Sequence, residues 1–324
     1  MIARPENLAP NKCIKTSSTA FHSFEATDAD LHAHNLTNWQ QEYDQLSAGK
    51  FYGQITELNI QGVQVFKEHT SQALRQSCII PNGCLWLGLS TNHQKAARIN
   101  GTNVLAEDVM CKLSGQTFEL ITPETFDIFG LVINQNLIAH SAAIQGLDIN
   151  LERDARAGQL SLSTDLIQSV RFLMGHLLNN QHITASQHLN HDLVMILVLE
   201  ILQKNSGINK QTVTFKRRKK VVDIAKEYVI ENCHKPMSIL QLCEVANVSR
   251  RTLQYSFENV LGISPTKFLR ITRLNGVRRA LSQQHSGTIS EVAGQWGFWH
   301  LSQFSQDYKI LFDELPSETF RRKY

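Results

Sequence analysis

The spacing of apolar residues divides the chain into three textures. Residues 1 to about 45 are polar and weakly patterned. From about 50 to 135, short runs alternate apolar and polar residues, the period of strands with one buried face. FYGQITELNIQGVQVFKE (51–68) alternates around a Gly turn, as a hairpin does. SCIIPNGCLWLGLS (77–90) places a Pro-Asn-Gly turn between two apolar runs, and FELITPETFDIFGLVI (118–133) reads as strand, Pro break, strand. Several short strands at near-regular spacing predict a small barrel or sandwich.

The period then lengthens to that of helices. STDLIQSVRFLMGHLLNN (163–180) has apolar residues at 166, 167, 170, 173, 174, 177 and 178, with Asp165 near its start where a carboxylate suits the helix dipole. ASQHLNHDLVMILVLEILQK (185–204) predicts a second helix. The two form a candidate antiparallel hairpin, either a connector with a homodimer surface or simply domain core. NSGINKQTVTF (205–215) is polar and aperiodic and reads as a linker. KRRKK (216–220) follows and runs into the helix VVDIAKEYVIENC. Such a charge run is first a solvated face and second a phosphate contact.

With 324 residues, 42% hydrophobic and 19% charged, the chain can bury more than one core, so two or three domains are expected. The start has no apolar segment of the signal-peptide kind. The longest apolar run, LVMILVL (193–199), is too short to span a bilayer, which predicts a cytoplasmic protein without membrane contact. Six cysteines show no C-x-x-C spacing, which argues against a zinc site or a disulfide framework; Cys243 reads as a small core residue. The net charge of +3 is unevenly placed. Residues 216–324 hold 18 Lys and Arg against 10 Asp and Glu, and the remainder holds 14 against 19. A basic module attached to a mildly acidic one suggests that the C-terminal third meets a polyanion.

That third repeats itself. SRRTLQYSFENVLGISPTKFLR (249–270) aligns with HLSQFSQDYKILFDELPSETFR (300–321), 51 residues on. Leu253 matches Phe304, Phe257 matches Tyr308 and Leu261 matches Phe312, one helical stripe at i, i+4, i+8. Pro265 and Pro316 follow each helix at the same place. Upstream, MSILQLCEVANVS matches TISEVAGQWGFW at a spacing of 50, pairing Leu242 with Val292 and Cys243 with Ala293. Asn247 falls opposite Gly297, the residue types that tolerate the left-handed backbone of a tight turn. Ser238 and Thr288 are N-cap residues, and Glu291 completes a capping box for the second. Each unit is a predicted helix-turn-helix, spanning 238–262 and 288–313.

With the core stripe assigned, Arg250, Arg251, Gln254 and Tyr255 face outward in the first unit. Leu301, Ser302, Gln303 and Gln306 do so in the second. Arg can read guanine and Gln adenine through paired hydrogen bonds, and Tyr can reach a phosphate or a thymine methyl. Singly, each is more simply a solvated surface residue; two such faces in the basic third point to double-stranded DNA. Between the units, SPTKFLRITRLNGVRRALSQ (264–283) predicts a helix of about 30 Å, close to the ~34–36 Å turn of B-DNA. It would set the two recognition helices in successive major grooves. Its Arg270, Arg273, Arg278 and Arg279 are candidate phosphate contacts.

Residues 218–324 resemble the DNA-binding domain of the AraC/XylS family of transcription regulators. The likeness covers both units, the linker helix and the closing LPSETFRR, which looks like the family's P-x-x-[YF]-R signature. WGFWHLSQFSQDYKILFDELPSETF is similar in particular to regulators of ethanolamine-utilisation operons. Gln306 stands where the family often has Arg, and Asp313 where it usually has Gly. The resemblance implies an α+β chain with three parts: a β-rich, cupin-like effector-sensing domain at 1–155, a helical connector and dimerisation hairpin at 156–210, and a DNA-binding domain at 216–324. It implies a regulator, typically an activator, that answers a small-molecule effector, contacts RNA polymerase and uses no cofactor. Trp86, Phe66 and Tyr52 are candidate pocket or core residues. His32 and His34 are spaced as in some cupin metal sites, but Glu and a third His are missing at the usual distances, so no metal is expected. Two alternatives stand beside this reading. One is a cupin-like metalloenzyme with a DNA-binding tail, for which residues 50–135 offer only His69 and His93. The other is a non-specific DNA binder.

Overall fold

A computed structural model describes residues 20–91, 96–105, 107–115, 117–179, 187–204, 213–232, 235, 237–283 and 287–322. His93, Cys13, Cys233 and most of the expected linker lie outside these residues.

In chain order the N-terminal part runs β1 (Ala20–Ala26), α1 (Ala29–Ala33), β2 (Gln40–Gln45), β3 (Gly53–Ile60), β4 (Val63–Thr70), β5 (Leu74–Ile79) and β6 (Cys84–Ser90). It continues through β7 (Ala97–Ile99), β8 (Thr102–Val104), β9 (Asp108–Leu113), β10 (Phe118–Thr122) and β11 (Phe126–Asn134). Then come α2 (Gln135–Ile144), α3 (Leu151–Ala157), β12 (Gln159–Ser161), α4 (Thr164–Asn179) and α5 (Gln187–Gln203). The C-terminal part is helical: α6 (Val213–Glu231), α7 (Ile239–Val245), α8 (Arg250–Leu261), α9 (Pro265–Gln283), α10 (Ile289–Gln295), α11 (Leu301–Phe312) and α12 (Pro316–Arg321).

The strands form two antiparallel sheets, ordered β1-β3-β4-β11-β6-β9-β12 and β2-β5-β10-β7-β8. Neither order closes on itself, so the expected barrel appears as two facing open sheets. One apolar cluster lies between them, joining Phe66, Trp86 and Ile128 of the larger sheet to Tyr43, Leu74 and Phe118 of the smaller. A second cluster covers the other face of the larger sheet, where Leu85, Leu87 and Leu131 meet α2, α4 and α5. β6 and β11 are therefore buried on both faces, which is why they read as near-continuous apolar runs. Gly88 and Gly130 pair across these two strands. A Cβ on Gly88 would fall 2.3 Å from the Trp86 ring and one on Gly130 2.0 Å from the Phe66 ring, so both aromatic rings fit only over glycine.

Two segments are tied more closely to the N-terminal part than their texture alone suggests. The polar stretch before residue 45 contains β1, α1 and β2: β1 pairs along its whole length with β3, and β2 with β5. The expected connector packs into the N-terminal part, because β12 pairs with β9 and α4 and α5 bury Val170, Met174, Val194 and Val198 against the larger sheet.

In the C-terminal part, each helix-turn-helix has its own core. Leu253, Phe257 and Phe268 gather with Val222 and Ala225 of α6 in one, and Phe304, Tyr308 and Phe312 gather with Val277 and Leu281 in the other. Truncating a fully buried ring such as Phe257 would cost about 3–5 kcal/mol. α9 passes between the two cores and is buried on nearly every side. Its Gly276 lies under the Trp296 ring, 2.2 Å from where a Cβ would sit.

Candidate nucleic-acid interface

The local geometry of the two units follows from their caps and turns. Asn247 and Gly297 take φ values of +50° and +79° in the turns. Ser238 accepts from the Gln241 backbone while the Gln241 side chain accepts from Ser238 N–H. Thr288 and Glu291 form the same reciprocal pair in the second unit. These backbone hydrogen bonds hold the Glu291 carboxyl below the usual carboxylate range. α8 ends on Gly262 at φ +75° and α11 on Asp313 at φ +53°, again 51 residues apart. Asp313 is thus the departure from Gly seen in the sequence, a short polar side chain in the left-handed cap position.

On α8, Arg250, Arg251 and Tyr255 are exposed, while the amide of Gln254 donates to Glu258. On α11, Leu301, Ser302, Gln303 and Gln306 are exposed. Gln303 leans to one side: its amide donates to Asp307 at 2.9 Å, and it borders a cleft of about 750 Å³ between the two parts of the chain. The structure therefore brings the candidate base-reading residues onto two exposed helix faces, with Gln303 at the edge of its face.

The candidate phosphate contacts fare differently. Arg278 is 7% exposed; its Nε lies 2.6 Å from Asp28, its NH1 lies 2.7 Å from Glu314, and its guanidinium sits over the Phe312 ring. Arg279 pairs with Asp44 at 2.9 Å and Glu42 at 3.4 Å. Burial opposes the charge of both, but the acidic partners, Asp28 for Arg278 and Asp44 for Arg279, more than offset it and raise both above the usual arginine value. Neither is available to a phosphate in this arrangement, so the sequence reading of Arg278 and Arg279 is corrected. Arg270 is half exposed but bonded to Asp307, and Arg273 donates to the Lys235 carbonyl at 2.6 Å. Asp28 and Asp44, the first partners of Arg278 and Arg279, lie more than 230 residues away in sequence, beyond the reach of any local pattern.

These pairs belong to a wide contact between the β-rich and helical parts. Arg75 bridges Asp44 at 2.9 Å and Glu119 at 2.6 Å, and Glu119 also receives Lys226 of α6. Gln45 Nε2 and Gly49 N–H both donate to the Leu311 carbonyl, supplying partners for the C-terminal end of α11 from outside its own domain.

Between the sheets, the inner surface mixes polar groups with rings. Buried His32 lies 3.1 Å from Glu68, to which the Tyr43 hydroxyl donates at 3.0 Å. Glu57, fully buried, accepts from Thr37 N–H and the Gln64 and Asn59 amides. Trp39 stands edge-on to Phe66, Trp86 and Phe118, and its indole donates to Gln64. Phe66 and Trp86 are thus buried among rings, whereas Tyr52 is exposed. His34 is exposed and bonded to the Asp30 carbonyl, so it does not share a site with His32. Burial pushes the Cys78 thiol well up and the Cys111 thiol up to about 12, as suits inert core residues.

A family profile described as a helix-turn-helix domain matches residues 242–322. The XylDLEGF operon transcriptional activator 2 of Pseudomonas putida is 38% identical over 95 residues, 29% of this chain and 60% of that protein. The probable thc operon regulatory protein of Rhodococcus erythropolis is 34% identical over 103 residues, 31% of each chain. A solved structure described as a probable AraC family transcriptional regulator from Rhodopseudomonas palustris has 32% identity over 32% of this chain and 95% of that one, with a TM-score of 0.30. The C-terminal domain is an AraC/XylS-type helix-turn-helix domain. The match spans 31% and 60% of these two relatives' lengths, less than two thirds of either, so the likeness is one of this AraC/XylS-type domain. Among the described residues no helix is long and apolar enough to cross a membrane.

Proposed function

We propose that the chain is a cytoplasmic, sequence-specific DNA-binding transcription regulator, an activator rather than an enzyme, whose β-rich part senses a small molecule. The observation that carries this reading is the pair of AraC/XylS-type units, each with an exposed polar helix face, joined by a buried strut. α8 and α11 enter successive major grooves; Arg250, Arg251, Gln254 and Tyr255 read one block, and Leu301, Ser302, Gln303 and Gln306 the other. RNA polymerase is the partner that an activator of this type addresses.

The inner polar surface between the sheets is the candidate effector site. Its connection to the DNA-binding domain is short. β2 points Tyr43 inward to Glu68 and the next residue, Asp44, outward to Arg279. α1 carries buried His32, and its N-cap Asp28 holds Arg278. An occupant that shifts α1 or β2 would shift the seat of α9, which coordinates the two reading helices.

The test is selection of bound sequences from a random duplex library by the full-length protein. The expected result is a motif in two blocks about ten base pairs apart. Arg251→Ala should relax preference in one block and Gln306→Ala in the other, each by about 1–3 kcal/mol of discrimination. Salt-sensitive binding with no enriched motif would instead make the protein a non-specific binder.

A further inference from the structure

The basic run 216–220 lies on α6, outside both helix-turn-helix units, yet it reaches the first reading face. Arg218 places its guanidinium 4.9 Å from the centroid of the Tyr255 ring, and Tyr255 is 58% exposed. The placement follows from helical spacing. Arg218 extends the stripe of Val222, Ala225 and Val229, which is buried in the first unit's core. One turn beyond that core, the same face of α6 meets the outer face of α8. Farther along, Phe215 and Val260 both lie against Gly101, so the two helices stay in contact to the end of α8.

The charges of this run are poorly compensated. Lys219 pairs with Asp223 at 2.5 Å. Among the described residues, no carboxylate pairs with Lys216, Arg217, Arg218 or Lys220, and Lys216, Arg217 and Lys220 are exposed. Lys216 with Lys220, and Arg217 with Lys220, stand at like-charge spacings that disfavour a helix. They also lie near the N-terminal end of α6, where the helix dipole repels cations. Beyond the Lys219–Asp223 pair, no carboxylate among the described residues offsets this local repulsion, and a polyanion along this outer face of α6 would.

Building on the DNA-binding reading above, we propose that α6 is a third DNA-contacting element, in which Lys216, Arg217 and Lys220 neutralise backbone phosphates flanking the first reading helix while Arg218 positions the Tyr255 ring. Arg218 is a positioning residue here; its planar cation lies against the ring and limits the orientations Tyr255 can take.

The test uses the full-length protein and the duplex it selects. The slope of log affinity against log salt is measured for the wild type and for the triple variant Lys216→Gln, Arg217→Gln, Lys220→Gln. Each phosphate left without its cation should reduce the slope by about 0.9. The selected sequence should stay the same, because phosphate contacts carry no base information. The thermal midpoint should hold or rise, since the three side chains are exposed and their mutual repulsion is removed. Arg218→Ala and Tyr255→Ala should each weaken binding roughly tenfold, and the double variant no further. Arg218→Lys, which keeps the charge and the helix but loses the planar guanidinium over the ring, should retain the salt slope and share the loss. An unchanged slope in the triple variant, or additive losses at 218 and 255, overturns this proposal while the DNA-binding reading stands. A wild-type protein that binds no duplex at any salt overturns both.

Discussion

Asn275 of α9 completes the edge of the five-stranded sheet by pairing with the backbone of Gln45. Its Oδ1 accepts from Gln45 N–H at 2.9 Å, and its Nδ2 donates to the Gln45 carbonyl at 3.1 Å. A side-chain amide thus does what a neighbouring strand would do for β2, which is otherwise an open edge. The pairing ties the strut of the DNA-binding domain to the strand that also carries Tyr43 and Asp44.

Asn275→Leu keeps a similar volume and removes both bonds. Two buried backbone groups then lose their partners, at about 1–3 kcal/mol each. The expected outcome is a lower urea midpoint together with faster amide exchange at Gln45. Slow exchange retained at Gln45 would mean that β2 finds another partner and that the amide is dispensable.

Glu119 provides a pH-dependent tie between the same two parts. Burial alone would raise its carboxyl, but Arg75 and Lys226 hold it below the usual carboxylate range. The folded state therefore favours the ionised form. Its contribution is complete above the ordinary value of about 4.3 and is lost as pH falls through the lower folded value. Glu119→Gln should lower stability by about 3–5 kcal/mol at neutral pH, because it leaves two buried cations short of a partner. Urea midpoints of wild type and variant should converge as the pH drops below about 4. A gap that stays constant with pH would show that hydrogen bonding, which Gln preserves in part, carries the tie.

Much of the helical part was legible in the sequence because its order is local. Caps, turns and the 51-residue repeat are set by residues a few positions apart, and even the departure at Asp313 falls on the backbone position where Gly would have served. The β-rich part was legible only as texture. Strands buried on both faces, such as β6, lose the alternation that marks a face, and the early strands β1 and β2 owe their place to pairing with β3 and β5. The errors at Arg278 and Arg279 share this origin. An arginine on a helix reads as solvated unless its carboxylate is nearby in sequence, and here Asp28 and Asp44 arrive from the other end of the chain. Conversely, the contact of the Arg218 guanidinium with the Tyr255 ring joins two segments that were each conspicuous in the sequence but carried no sign of meeting.

The outer surface of α5 bears on the dimer that the sequence left open. Leu189, Leu193 and Ile196 are exposed at 60%, 41% and 55%, while Val194, Val198 and Leu202 on the opposite side are buried. The exposed three follow i, i+4, i+7, one stripe, and Phe172 of α4 is 76% exposed. A helix that is apolar on both sides belongs in an interior, and packing against the larger sheet covers only one side. A second copy meeting this stripe across a twofold axis would cover the other, since the same surface serves both partners. Sedimentation should then find a dimer, and Leu193→Lys with Ile196→Lys should give a folded monomer with an unchanged far-ultraviolet spectrum. A wild-type monomer at high protein concentration would leave α5 as an outer layer of the β-rich part and make the paired units of a single chain the whole DNA reader.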